Sequence, residues 1–175
     1  MFKIFLYVLL GLIVAAVAGA FFLPSSYTVE RSIVIAAEPA QVYPAVSDLR
    51  TWKEWTAWTQ ERDPDCKWTY EGEEGTGSKM VWEGDELGQG ELTISSADPA
   101  NGIEFDLAFD EGAYLSKGSV RLEKTADGTK VIWINGGELG NNPINRWFGL
   151  AMDSMMGGEF ETCLEGLKKR VETPK

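Results

Sequence analysis

Hydrophobic and polar positions divide the chain into three regimes. From Ile4 to Leu23, 20 residues pass without a charged side chain, and Tyr7 carries the one polar group. A helix of that length rises about 1.5 Å per residue and covers roughly 30 Å, the hydrocarbon thickness of a bilayer. Apolar on every side, it predicts burial in lipid. Pro24-Ser25-Ser26 ends it. Lys3 and the small-x-small run Ala18-Gly19-Ala20 also fit a cleaved signal peptide, but the apolar run continues through Phe21, Phe22 and Leu23, which favours a retained anchor. Lys3 and the amino terminus precede the span, and Arg31, offset by Glu30, follows it. The bias predicts a single-pass protein, amino terminus inside and domain outside, on the periplasmic side in a bacterium.

The second regime alternates with period two. Tyr27–Ile35 is β-branched and reads as a first strand. Glu38-Pro39-Ala40 opens a short helix with Val42, Tyr43 and Val46 inward. Ser47-Asp48 breaks it, and Leu49–Trp55 forms a second short helix or turn. Six strand-like runs follow, at 67–71, 78–83, 89–96, 102–109, 116–125 and 129–138, separated by Gly, Asn or Asp. Tight turns such as Asp127-Gly128 predict an antiparallel meander. In the clearest strand Ile103, Phe105, Leu107 and Phe109 face one way and Glu104, Asp106 and Ala108 the other.

The third regime has helical period. Pro143 to Val171 predicts a long helix ending before Thr173-Pro174, with Phe160, Leu164, Leu167 and Val171 as its buried stripe. Gly157-Gly158 predicts a kink or a close backbone approach. The order defines an α+β domain over residues 27–175, an antiparallel sheet curled round one long helix, behind an anchor and tether over residues 1–26.

Charge narrows the partners. All 27 acidic residues lie after Leu23 with 15 of the 16 basic ones, so the domain carries a formal charge of 15 − 27 = −12. Nucleic acid and anionic lipid head groups are bound through basic patches, so nucleic-acid binding is excluded. With no histidine in the chain, Ser-His and Cys-His nucleophilic catalysis and imidazole zinc ligation are excluded. Cys66 and Cys163 lack CxxC spacing; a disulfide between them stays open. Glu83, Asp85, Glu86, Asp106, Asp110 and Glu111 fall at solvated positions or turns. No catalytic residue, metal site or cofactor is assigned.

Three segments carry a resemblance. Val34-Ile35-Ala36-Ala37-Glu38-Pro39-Ala40-Gln41-Val42-Tyr43, Leu49-Arg50-Thr51-Trp52-Lys53-Glu54-Trp55-Thr56-Ala57-Trp58 and Phe160-Glu161-Thr162-Cys163-Leu164-Glu165-Gly166-Leu167-Lys168 resemble motifs of the SRPBCC superfamily, also called START-like or Bet v 1-like, and within it the polyketide cyclase/dehydrase and lipid-transport family. Thr56-Ala57 replaces the family's Ser-Pro, and Cys163 stands where Gly is common. The resemblance implies a helix-grip fold, a seven-stranded antiparallel sheet wrapped round the long C-terminal helix, enclosing a cavity for an apolar small molecule or lipid.

Seven tryptophans and eight phenylalanines supply rings to line such a cavity. The candidate ligand-binding residues are Trp55, Trp58, Met80, Trp82, Phe105, Trp133, Met152 and Met155. Core packing beneath the short helices competes for Trp52, Trp55 and Trp58, and ordinary core competes for the methionines. The expectation is a membrane-anchored binding or carrier domain; a protein-interaction or sensor module of the envelope and a cyclase, dehydratase or hydrolase are the alternatives.

Overall fold

The computed structural model describes residues 1–173; Pro174, expected to follow the last helix, lies outside them. Helix α1 (Phe2–Ala20) leads to β1 (Ser26–Ile35), α2 (Pro39–Ser47) and a 3-10 turn at Leu49–Glu54. Strands β2 (Lys67–Glu71), β3 (Lys79–Glu83), β4 (Gln89–Asp98), β5 (Gly102–Phe109), β6 (Tyr114–Thr125) and β7 (Gly128–Glu138) follow, then α3 (Pro143–Gly149) and α4 (Met152–Glu172). All seven strands form one antiparallel sheet in the order β1-β7-β6-β5-β4-β3-β2.

The sheet is a meander whose first strand closes beside its last. Alternation sets the inner face: Ile103, Phe105 and Leu107 of β5 are buried and Glu104 and Asp106 are exposed. The turn before the meander supplies a floor of rings. Trp52 stands 5.9 Å from Phe105 and 5.5 Å from Trp133, and Trp55 stands 5.7 Å from Trp133. The Trp52 and Trp55 indoles donate to the carbonyls of Val46 and Ala45, each at 3.0 Å, which satisfies two donors that burial would otherwise strand.

Helix α4 lies across the concave face and along the edge strand β1. Phe160, Cys163, Leu164 and Leu167 are buried beneath it; removing each large side chain of this kind from water contributes roughly 1.5–3 kcal/mol. Lys168 donates to the carbonyl of Val34 at 3.0 Å and Glu172 accepts from the amide of Ala36 at 2.8 Å, so the helix also covers the end of the strand edge.

Two glycines let α4 approach this closely. A Cβ at Gly166 would stand 2.1 Å from the carbonyl oxygen of Trp55, and one at Gly157 would stand 1.9 Å from Nη2 of Arg31. Arg31 points from the inner face of β1, donating through Nη1 to Asp153 and through Nε to Glu161, both at 2.8 Å. The close approach expected near Gly157-Gly158 is therefore present, while the helix runs straight through both residues. The interruption falls earlier, at Leu150 and Ala151, where α3 ends and the chain turns into α4.

Candidate functional site

Between α4, α3 and the open end of the sheet lies a cavity of about 650 Å³. Its walls are largely apolar: Leu107 and Phe109 from β5, Leu115 from β6, Ile144 and Phe148 from α3, and Met152, Met155 and Met156 from α4. A second chamber of about 260 Å³ adjoins it, reaching inward to Trp58, Phe105, Trp133 and Phe160. Leu107, Phe109, Asn135 and Met156 border both chambers and form the neck between them. The unbranched Met156 at the neck lets an irregular guest be accommodated by rotation about single bonds.

Gln89, Asp110, Glu138 and Asn145 border the outer chamber, and Tyr27, Ser116 and Asn135 make a buried polar corner inside it. Asn135 of β7, 1% exposed, donates to Ser116 Oγ at 3.2 Å and accepts from the Tyr27 hydroxyl at 3.5 Å. Burial raises the Tyr27 phenol above its ordinary value, against a smaller lowering by its bond with Ser116, so it stays a neutral donor at pH 7. In the inner chamber Trp133 stacks on Phe160 with ring centres 5.0 Å apart. Its buried Nε1–H has no hydrogen-bond partner among the described residues.

The far side of the inner chamber is rimmed by a polar loop. Asp63, 2% exposed, accepts from the amides of Glu86 and Leu87 at 2.9 and 3.0 Å and so pins the β3–β4 loop. Leu87 in turn offers its carbonyl to Trp82 Nε1 at 3.3 Å. An Arg62–Glu159 ion pair closes the edge beside it. A wider concavity of about 770 Å³ lies on the outer face of the sheet, walled by Glu91, Thr93, Asp106 and Lys117. It is an open groove lined by strand residues, with Leu107, Ala108 and Leu115 between the charged side chains.

The structure distributes the eight candidate ligand-binding residues over three surroundings. Trp58, Phe105 and Trp133 line the inner chamber, and Met152 and Met155 line the outer one. Trp55, Met80 and Trp82 are packed among buried side chains and border neither chamber. Met156, Phe160 and the polar corner of Tyr27, Ser116 and Asn135 are lining residues outside that set. Cys66 and Cys163 are both buried and free, which decides the open disulfide question. Burial pushes the Cys163 thiol up to about 11, partly offset by the bond it accepts from the Ala57 amide.

A sheet gripping one long helix over an internal chamber defines a helix-grip, ligand-binding architecture. Residues 26–172 match the family model described as polyketide cyclase/dehydrase and lipid transport, and the chain belongs to that family. No curated protein matches the sequence. Among solved structures, a protein of unknown function from Staphylococcus aureus superposes with a TM-score of 0.65 at 11% identity, over 85% of this chain and 97% of that one. Ara h 8.0201 superposes at 0.58 with 17% identity, over 83% and 97%. The Aha1 dimer from Colwellia psychrerythraea gives 0.55 with 17% identity, over 81% and 96%. Identities this low establish a shared fold.

Helix α1 is long and apolar enough to cross a membrane, with a mean hydropathy of 2.3, and its apolar window is wholly unburied. It touches the domain through α3. Trp147 Nε1 donates to the Ala16 carbonyl at 3.1 Å, and Arg146 Nη1 reaches the carbonyls of Phe21 and Leu23 at 3.4 and 3.3 Å.

Proposed function

We propose that this chain is a membrane-tethered binding or carrier domain for an apolar or amphipathic small molecule, residues 1–26 forming the anchor and tether and residues 27–175 the domain. The two joined chambers between sheet and α4 carry the reading: rings and methionines make up most of their walls, with the buried Tyr27–Ser116–Asn135 corner inside and charged side chains such as Asp110, Glu138, Arg62 and Glu159 along their borders. A site of that composition suits a guest with a hydrocarbon body and one or two hydrogen-bonding groups. Family membership points to the same class of ligand. The anchor is retained, with the domain on the outer side.

Displacement of an environment-sensitive apolar dye from the full chain in mild detergent tests the reading, with fatty acids, phospholipids and hydrocarbons as competitors. Saturable displacement is expected, and Met156→Trp, which fills the neck, is expected to weaken it at least severalfold while the protein still melts cooperatively. A chain that binds neither dye nor lipid, and carries no bound molecule in native mass spectrometry, would sink the proposal.

A further inference from the structure

We infer that the outer face of α3 is seated in the membrane interface beside α1, so that the outer chamber opens onto the bilayer and exchanges its ligand with lipid. The inference rests on the reading of α1 as a retained span. Depth is the first argument. The Trp147 indole is bonded to the carbonyl of Ala16, seven residues before the apolar run ends at Leu23. At about 1.5 Å per residue, that is roughly 10 Å inside the edge of the apolar run. A helix lying in the interface buries its apolar face about 5–10 Å deep. If α1 crosses the bilayer, α3 is carried to that depth with it.

Composition is the second argument. Helix α3 contains no buried residue. Ile144, Phe148 and Leu150 are 65%, 57% and 56% exposed, and Trp147 is 47% exposed despite its contact with α1. An exposed apolar cluster of this kind on a monomer marks an interaction surface, and here it is continuous with a helix that is uncharged from Ile4 onward. A tryptophan and an arginine are the side chains expected at such a boundary. Arg146 takes the free carbonyls at the C-terminal end of α1 and stands 5.9 Å from the Phe21 ring, which holds the two helices as a unit.

The third argument is where the chamber opens. Ile144 and Phe148 belong both to this exposed face and to the chamber wall. Across the mouth stand Tyr114 and Leu115, 64% and 68% exposed. Ile144 and Phe148 on one side and Tyr114 and Leu115 on the other give an apolar guest a path between bilayer and chamber, with Asp110 and Glu138 the charged residues on the chamber's border. The acidic residues of the domain favour a zwitterionic lipid surface over an anionic one.

The test uses the full chain in phosphatidylcholine nanodiscs. Leu150→Cys and, as a control in the turn between β6 and β7, Asp127→Cys are each labelled with a nitrobenzoxadiazole probe; the buried native thiols leave the unsubstituted chain as the labelling blank. Lipids carrying a doxyl quencher near the top of the acyl chain are expected to extinguish the probe at position 150 and spare the one at 127. Alkaline carbonate extraction is run on the same preparations. Retention in the membrane with an unquenched probe at 150 would overturn the seat of α3 alone. Release by carbonate would overturn the anchor and the seat together.

Discussion

Trp133 differs from the other buried tryptophans in a single bond. The indoles of Trp52, Trp55 and Trp82 each donate to a backbone carbonyl, and that of Trp133 donates to nothing described. A buried donor left unmade costs about 1–3 kcal/mol, and a ligand oxygen entering the inner chamber would recover part of that. Trp133→Phe keeps an aromatic ring over Phe160 and removes the donor. It is expected to lower affinity for ligands bearing a carbonyl or hydroxyl by about tenfold, the equivalent of one hydrogen bond, and to leave a pure hydrocarbon probe unaffected; calorimetric titration of both ligands decides it. That Trp133 faced inward was legible from its strand. That its nitrogen lacked a partner was not, because Trp52, Trp55 and Trp82 find their carbonyls 6, 10 and 5 residues away in their own segments, whereas what stands beside Trp133 is set by how the sheet, the tryptophan turn and α4 pack. The same limit explains Trp55, Met80 and Trp82: alternation reports which way a side chain points, and cannot tell whether it meets a packed neighbour or empty space.

Elements were more legible than sites. The strands, both short helical segments and the α4 stripe follow from period and from turn residues, since each depends on neighbours a few positions away, whereas the pairing of β1 with β7 joins residues about a hundred positions apart. The place where the C-terminal helical segment breaks did not follow. Gly157 and Gly158 look alike as helix weakeners, yet only Gly157 faces Arg31, and a Cβ on Gly158 would meet no atom within 4 Å. Gly158→Ala is therefore expected to stabilise by up to about 1 kcal/mol, and Gly157→Ala to destabilise by displacing the guanidinium from Asp153 and Glu161. Urea titrations of the two variants compare them directly. The Arg31 bonds also set an acid response: the guanidinium holds the Asp153 carboxyl below its ordinary range. A lowered carboxyl contributes its stability fully above its unfolded value of about 3.9 and loses it as pH falls through the lower folded value. Asp153→Asn should accordingly be less stable than the parent near neutrality, by a small amount for so exposed a pair, and the difference should vanish in melting curves taken at increasingly acid pH.

For the whole molecule the proposed anchor makes one quantity decisive: whether α1 is retained, and on which side of the membrane the domain then lies. Protease added to intact spheroplasts is expected to digest the domain, and N-terminal sequencing of the membrane fraction is expected to begin at or next to Met1. Full protection would reverse the orientation, and a mature start near Phe21 would replace the anchor by a cleaved leader. The connection between anchor and domain has its own consequence. Only residues 21–25 separate α1 from β1, a chain that extends to about 17 Å at most. Part of it is already tied down, since Ser25 accepts from the Leu139 amide at 2.7 Å. If α1 is retained as a span, so short a leash keeps the domain from ferrying cargo from one membrane to another. With α1 in the bilayer it works as a fixed berth, and whatever delivers or collects its guest has to diffuse to it, through the lipid or up to its exposed side.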